Sequence, residues 1–188
     1  EFTIYTNRSI SSSMSVDVVY DVMKMQATPA KKDIKRSRFV RIDTSTTPKG
    51  PWCLGFSDVF RINKIYASAS TYTTSGIDVT RKFVFDTGQK DTHYDLAYLY
   101  NISHDVISYP KLLVELDYFV ANTTSGIGFF TVDSYPIDDA NTANTLAIQT
   151  KDIPLYVDES GNKIPLKNYI DFRIPSVSTA NNTGNCNT

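Results

Sequence analysis

Between residues 112 and 120 apolar side chains recur at every second position, Leu112, Val114, Leu116, Tyr118 and Val120, while Glu115 and Asp117 occupy intervening ones. A strand sends successive side chains to opposite faces, whereas a helix would scatter these residues around its circumference. The segment therefore predicts a strand with one buried face. The same period appears three more times. Over residues 16–25, Val16, Val18, Tyr20 and Val22 alternate with Asp17, Val19, Asp21 and Met23. Over 59–66, Phe60, Ile62, Lys64 and Tyr66 oppose Val59, Arg61, Asn63 and Ile65. Over 77–85, Ile77, Val79, Phe83 and Phe85 make one face.

Two segments stay open. Residues 94–100 fit a strand with Tyr94, Leu96, Tyr98 and Tyr100 on one face, or a short helix with Leu96, Leu99 and Tyr100 together. Residues 138–145, dense in Asn, Asp and Thr, read as a long loop or one helical turn. Turn signals at 48–51, 74–76, 87–89, 125–126 and 160–162 separate the periodic runs at irregular spacing, which suits antiparallel strands with some long connections. The abundance of Tyr, Phe, Thr, Ser and Val points the same way, since these residues pack well on a pleated surface. The expected fold is all-β, an antiparallel β-sandwich with an extended N-terminal arm and few or no helices. Residues 1–14 are expected as the arm, 15–175 as the β-rich module, and 176–188 as a flexible tail or linker. The start at Glu1-Phe2 and the polar run 179–188 read as the ends of a piece cut from a longer protein.

Charge and motif content narrow the function. A net charge of −1 leaves no electrostatic footprint for nucleic acid or an acidic membrane. The basic cluster Lys31, Lys32, Lys35, Arg36 and Arg38 has only Phe39 beside it, so it reads as a solvated turn and strand entry. The apolar run at 112–121 is interrupted by Glu115 and Asp117 and is too short to span a bilayer. No Gly-rich loop opens a helix and no Gly-x-Ser-x-Gly elbow is present, so no cofactor and no catalytic residue is expected. Cys53 and Cys186 are too few for a disulfide framework and are expected as free thiols.

Three constellations carry what chemistry there is. Asp91, His93 and Asp95 would share one face of a strand, a weak candidate for a divalent cation, against a plain reading of a histidine hydrogen-bonded to acidic neighbours. Glu115 and Asp117 would lie about 6–7 Å apart on one strand face, near a glycosidase spacing, although a solvated strand face is the commoner meaning. Tyr66, Tyr72, Tyr94, Tyr98, Tyr100 and Tyr109 are candidates for a subunit interface or for sugar stacking, with core filling as the alternative.

Several strings in order add a resemblance. They are Phe60-Arg61-Ile62-Asn63-Lys64-Ile65-Tyr66, then Phe83-Val84-Phe85-Asp86-Thr87-Gly88-Gln89-Lys90-Asp91 with Tyr94-Asp95, then Leu113-Val114-Glu115-Leu116-Asp117-Tyr118-Phe119. Gly128-Phe129-Phe130-Thr131-Val132-Asp133-Ser134-Tyr135-Pro136, Asp152-Ile153-Pro154-Leu155-Tyr156 and Asn168-Tyr169-Ile170-Asp171-Phe172-Arg173 follow. Together, over residues 55–175, they resemble a module of large virion structural proteins of tailed phages, notably those of marine cyanobacteria. The resemblance implies a tail, baseplate or fibre-associated component with no catalytic residues. It would be placed in the virion after assembly in the host cytoplasm, with other virion proteins or its own copies as partners, a trimer being one arrangement. A host-surface adhesin or carbohydrate-binding module is the alternative, and a polysaccharide depolymerase the third reading. Within the strings, Gly88 is expected to take positive φ in a turn, Pro136 to end a strand, and Asp171 and Arg173 to share one strand face.

Overall fold

The structure is a computed structural model. It describes residues 27–175, apart from 46, 104–108, 123 and 125, together with residues 9, 12, 13, 15, 17 and 19. Most of the expected arm, most of the strand expected over 16–25 and the expected tail lie outside the described residues.

The fold is all-β: the described residues form eleven strands in chain order, and their only helix is in three-residue 3-10 turns. A four-stranded antiparallel sheet contains β1 (Lys31–Asp43), β8 (Lys111–Asn122), β3 (Val59–Ser68) and β4 (Ile77–Asp78), in that spatial order. A second antiparallel sheet runs β2 (Trp52–Ser57), β7 (Leu96–Asn101), β5 (Phe83–Asp86). Two small pairs complete the fold: β9 (Leu155–Val157) with β10 (Lys163–Pro165), antiparallel, and β6 (His93–Tyr94) with β11 (Ile174–Pro175), parallel. Among the described residues no helix is long and apolar enough to cross a membrane.

Strand β8 is the hinge of the packing, because both its faces are covered. Leu112, Val114 and Leu116 enter a cluster shared by the two larger sheets, with Val40, Ile42, Ile65, Trp52, Phe83, Ala97 and Leu99. Phe119, on the opposite parity, enters a second cluster with Ile34, Tyr135, Ile148, Ile153, Tyr156 and Leu166. The expectation of one buried and one solvated face on β8 is thus corrected. The long loops after residue 130 fold back over the face that alternation had assigned to water.

Bulges let β1 and β3 serve both clusters. Lys35 pairs with Tyr118 and Arg38 with Leu116, so β1 spends one more residue than β8 over this step. One extra residue moves every later side chain to the other face. Ile34 before the bulge therefore faces the second cluster, while Val40 and Ile42 beyond it face the first. Two further irregularities in β3 put Val59, Ile62, Ile65 and Ala67 on one side, a spacing that strict alternation does not produce.

Other sequence expectations resolve unevenly. Residues 77–85 are not one strand: a 3-10 turn at Thr80–Lys82 divides β4 from β5, which belong to different sheets. Asp78 helps break it by accepting from the Thr80 amide and hydroxyl. Residues 94–100 are extended but divided: Tyr94 ends β6 and is buried, and in β7 Ala97 and Leu99 form the buried face rather than Tyr98 and Tyr100. Residues 138–145 are loop. Gly88 takes φ 75°, with its amide donating to Asp86. Pro136 ends no strand, because Val132–Ser134 is a 3-10 turn capped by Thr131. Cys53 is disulfide-bonded, which corrects the free-thiol expectation; Cys186 lies outside the described residues.

Candidate functional site

The basic cluster is the largest departure from the sequence reading. Lys31 through Asp43 is one long strand, and Lys32 is not solvated: its side chain is 0% exposed. Its register partner is Ala121, which places the ammonium on the same side of the sheet as Ile34 and Phe119. There Nζ lies 4.4, 4.6 and 4.9 Å from the ring centres of Tyr94, Phe130 and Tyr135. Aromatic faces stabilise a cation, most strongly where water is excluded.

Hydrogen bonds hold the ammonium in this box. Nζ donates to Asp58 Oδ2 at 2.7 Å, to the Tyr94 hydroxyl at 3.1 Å and to the Tyr135 hydroxyl at 3.4 Å. Asp58 sits between β2 and β3 at φ 54°, a left-handed conformation that aspartate tolerates better than most residues. Its side chain is 3% exposed. Its Oδ1 atom has no hydrogen-bond partner.

A second ion pair adjoins the first through Tyr94. The Tyr94 hydroxyl donates to Asp171 Oδ2, and Asp171 accepts from Arg173 Nε at 2.9 Å and Nη2 at 2.8 Å. The guanidinium lies between the Tyr94 and Tyr156 rings, 4.5 and 4.2 Å from their centres, and reaches Gln89 and the Lys90 carbonyl. Two cations and two anions are thus matched inside one dry cluster. Burial, with the negative charges of Asp58 and Asp171 nearby, pushes both Tyr94 and Tyr135 well above the ordinary phenol value, so both stay protonated. Burial opposes the charge on Asp171, but the Arg173 and Tyr94 hydrogen bonds outweigh it and keep the carboxyl below its usual value.

Asp171 and Arg173 both face inward, but not from a strand as expected: Asp171 makes an isolated bridge to Phe130 and Arg173 precedes β11. Ile170, Phe172 and Ile174 alternate with them and point outward, with Phe172 and Ile174 69% and 68% exposed. The usual pattern is inverted here, with charges inside and large apolar groups in water. Tyr169 and, on β9, Leu155 and Val157 add to the exposed apolar surface.

The other candidates are dispersed or consumed. His93 Nδ1 contacts the Thr92 hydroxyl at 2.9 Å, and Asp95 accepts from the Leu96 amide at 2.7 Å. Asp91 is exposed, and among the described residues no group of three His, Cys, Asp or Glu side chains is placed to hold a metal ion. Asp117 is not on a solvated face. Its side chain is 1% exposed and accepts from Arg36, the Ser37 amide, Arg61 and Asn63, so it forms no acid pair with Glu115. Of the tyrosines, Tyr94 is a core residue, which corrects its place among surface candidates. Tyr98 and Tyr100 lie on the outer face of β7, Tyr100 exposed and paired with Val84. Tyr66 is on β3 of the other sheet, Tyr72 lies near Arg41 and Lys111, and Tyr109 is exposed; they form no common platform with the β7 pair.

Sequence reasoning missed Lys32, Asp58 and Tyr135. One signal for Lys32 was available, because it shares the parity of Ile34 on a run with strand character. Asp58 had none, since nothing local marks a strand junction whose carboxylate turns inward.

No protein-family model, no curated protein and no solved structure matches the chain.

Proposed function

We propose that this chain is a structural module of a tailed-phage virion, a tail, baseplate or fibre component that works through protein–protein contacts. Two lines support the reading. The ordered strings over residues 55–175 supply the virion context. The inverted segment supplies the mode of action, and it is the observation that carries the proposal. Burying Asp171 and Arg173 while leaving Ile170, Phe172 and Ile174 in water wastes apolar area in an isolated chain, since each large apolar side chain is worth about 1.5–3 kcal/mol when covered. Large apolar side chains left exposed together on one segment are what a contact site presents.

The disposition of the ionisable groups agrees with an architectural role. Asp58, Asp117 and Asp171, the buried carboxylates among the described residues, are each spent on a buried or half-buried cation. Asp117 in particular ties the bulge of β1 to β3 rather than facing a cleft. The virion assignment is tested by the genes that flank the reading frame. They should encode tail, baseplate, fibre or capsid proteins, and a neighbourhood of metabolic genes would refute it.

A further inference from the structure

Lys32 and Asp58 present an amine and a carboxyl group in a site with the ingredients of a condensation, and we propose that they join in an intramolecular amide crosslink. Nζ and Oδ2 are 2.7 Å apart, and both side chains are nearly or wholly shielded from water. Two groups held at contact distance react as if at very high concentration, because the cost of bringing them together was met by folding. In bulk water an amide-forming equilibrium is opposed by the solvent itself. The rings of Tyr94, Phe130, Tyr135 and Phe119 around Nζ exclude that solvent.

The pair differs from the other ion pairs among the described residues. Arg36, Arg61 and Arg173 oppose their carboxylates with guanidinium groups, which are poor nucleophiles. The lysine pairs Lys90–Asp86 and Lys111–Asp43 are open to water. Among the described residues only Lys32 sets a primary amine against a carboxylate in a dry core. Buried charges are also costly unless every lone pair is matched, and Asp58 Oδ1 is not. Condensation replaces two buried charges and an orphaned oxygen with one neutral amide.

The chemistry balances without a further reactant. One proton passes from Nζ to the Asp58 carboxyl along their hydrogen bond, and the neutral amine attacks Cγ. Of the three Nζ protons one remains on the amide nitrogen, and two leave with a carboxyl oxygen as water. Nothing is oxidised or reduced. The Tyr94 hydroxyl accepts from Nζ and donates to Asp171, which holds the amine against Asp58 Oδ2. The bond would link β1 to the start of β3, which flank β8 and share no backbone ladder with each other. It would clamp the sheet across its central strand and close a loop between positions 26 residues apart.

Mass spectrometry under denaturing and reducing conditions decides the matter, and does not depend on any variant folding. The chain should be lighter than its sequence by one water molecule, and a protease digest should yield one branched species joining the Lys32 peptide to the Asp58 peptide. A chain of full sequence mass, or a lost water confined to a linear peptide as in a cyclic imide, would overturn the proposal. Lys32→Arg keeps the charge but removes the primary amine and should restore the full mass; a branched species in that variant would equally overturn it.

Discussion

Asp117 shows how one side chain can hold a geometry that the backbone does not favour. Strand β1 reaches its bulge at Arg36 and Ser37, where Ser37 adopts φ 50°, and the left-handed conformation is disfavoured for a residue with a Cβ. The Asp117 carboxylate meets that bulge from β8, accepting the Ser37 amide at 2.8 Å and Arg36 Nη1 at 3.2 Å, while Asn63 and Arg61 reach it from β3. Burial disfavours its charge, but these donors prevail and keep its pKa below the ordinary carboxylate value. The folded-state value is depressed, so the stabilisation it gives is present above about pH 3.9, the unfolded value. It is lost as the pH falls through the lower, folded value. Asp117→Ala should cost about 2–3 kcal/mol in urea unfolding at neutral pH, since it strands several donors while half-exposed Arg61 can rehydrate. That deficit should shrink on acidification below pH 3.9, and a deficit independent of pH would show that the carboxylate charge is not what holds the bulge.

At the scale of elements, the turns were legible and the faces were not. Gly88 was readable because Asp86-Thr87-Gly88 is a local signal with a local cause: a Cβ at Gly88 would lie 2.3 Å from the Asp95 carbonyl oxygen, at φ 75°. Gly161 also has positive φ, but a Cβ there meets nothing within 4 Å. Gly88→Ala should therefore destabilise by about 2–3 kcal/mol, combining backbone strain with a steric clash, and Gly161→Ala by about 1 kcal/mol. Equal losses in chemical denaturation would contradict the packing difference. Strand faces were harder to read, because a face depends on bulges and on what packs later. Lys32 and Val40 have the same parity in the sequence yet face opposite sides of the sheet, for one extra residue lies between them. Likewise Ala97 and Leu99 take the interior of β7 while the larger Tyr98 and Tyr100 face outward, because the core shared with the other large sheet lies on the side to which those two positions point. The buried cluster was least legible, since its members come from β1, the β2–β3 junction, β6 and residues after 130. Its members are scattered along the chain, with no more than two of them close together in sequence, as Asp171 and Arg173 are.

Seen whole, the molecule buries its charges and leaves a row of apolar groups outside. Two of the three apolar clusters lie against the same face of the four-stranded sheet, where Lys32, Asp58, Tyr94, Tyr135, Asp171 and Arg173 are matched to one another. The outer surface beyond that cluster carries Ile170, Phe172 and Ile174, which stay mostly exposed in the folded chain. A partner that covered them would gain hydrophobic area without any rearrangement of the ion pairs beneath. Assembly through this surface is the claim on which the functional account stands, and sedimentation equilibrium tests it most directly. Over a range of micromolar concentrations the wild-type chain should associate with itself, and the double variant Ile170→Ser, Phe172→Ser should remain monomeric with its buried charges undisturbed. A wild-type chain that stays monomeric throughout, or a variant that associates as strongly, would contradict the account.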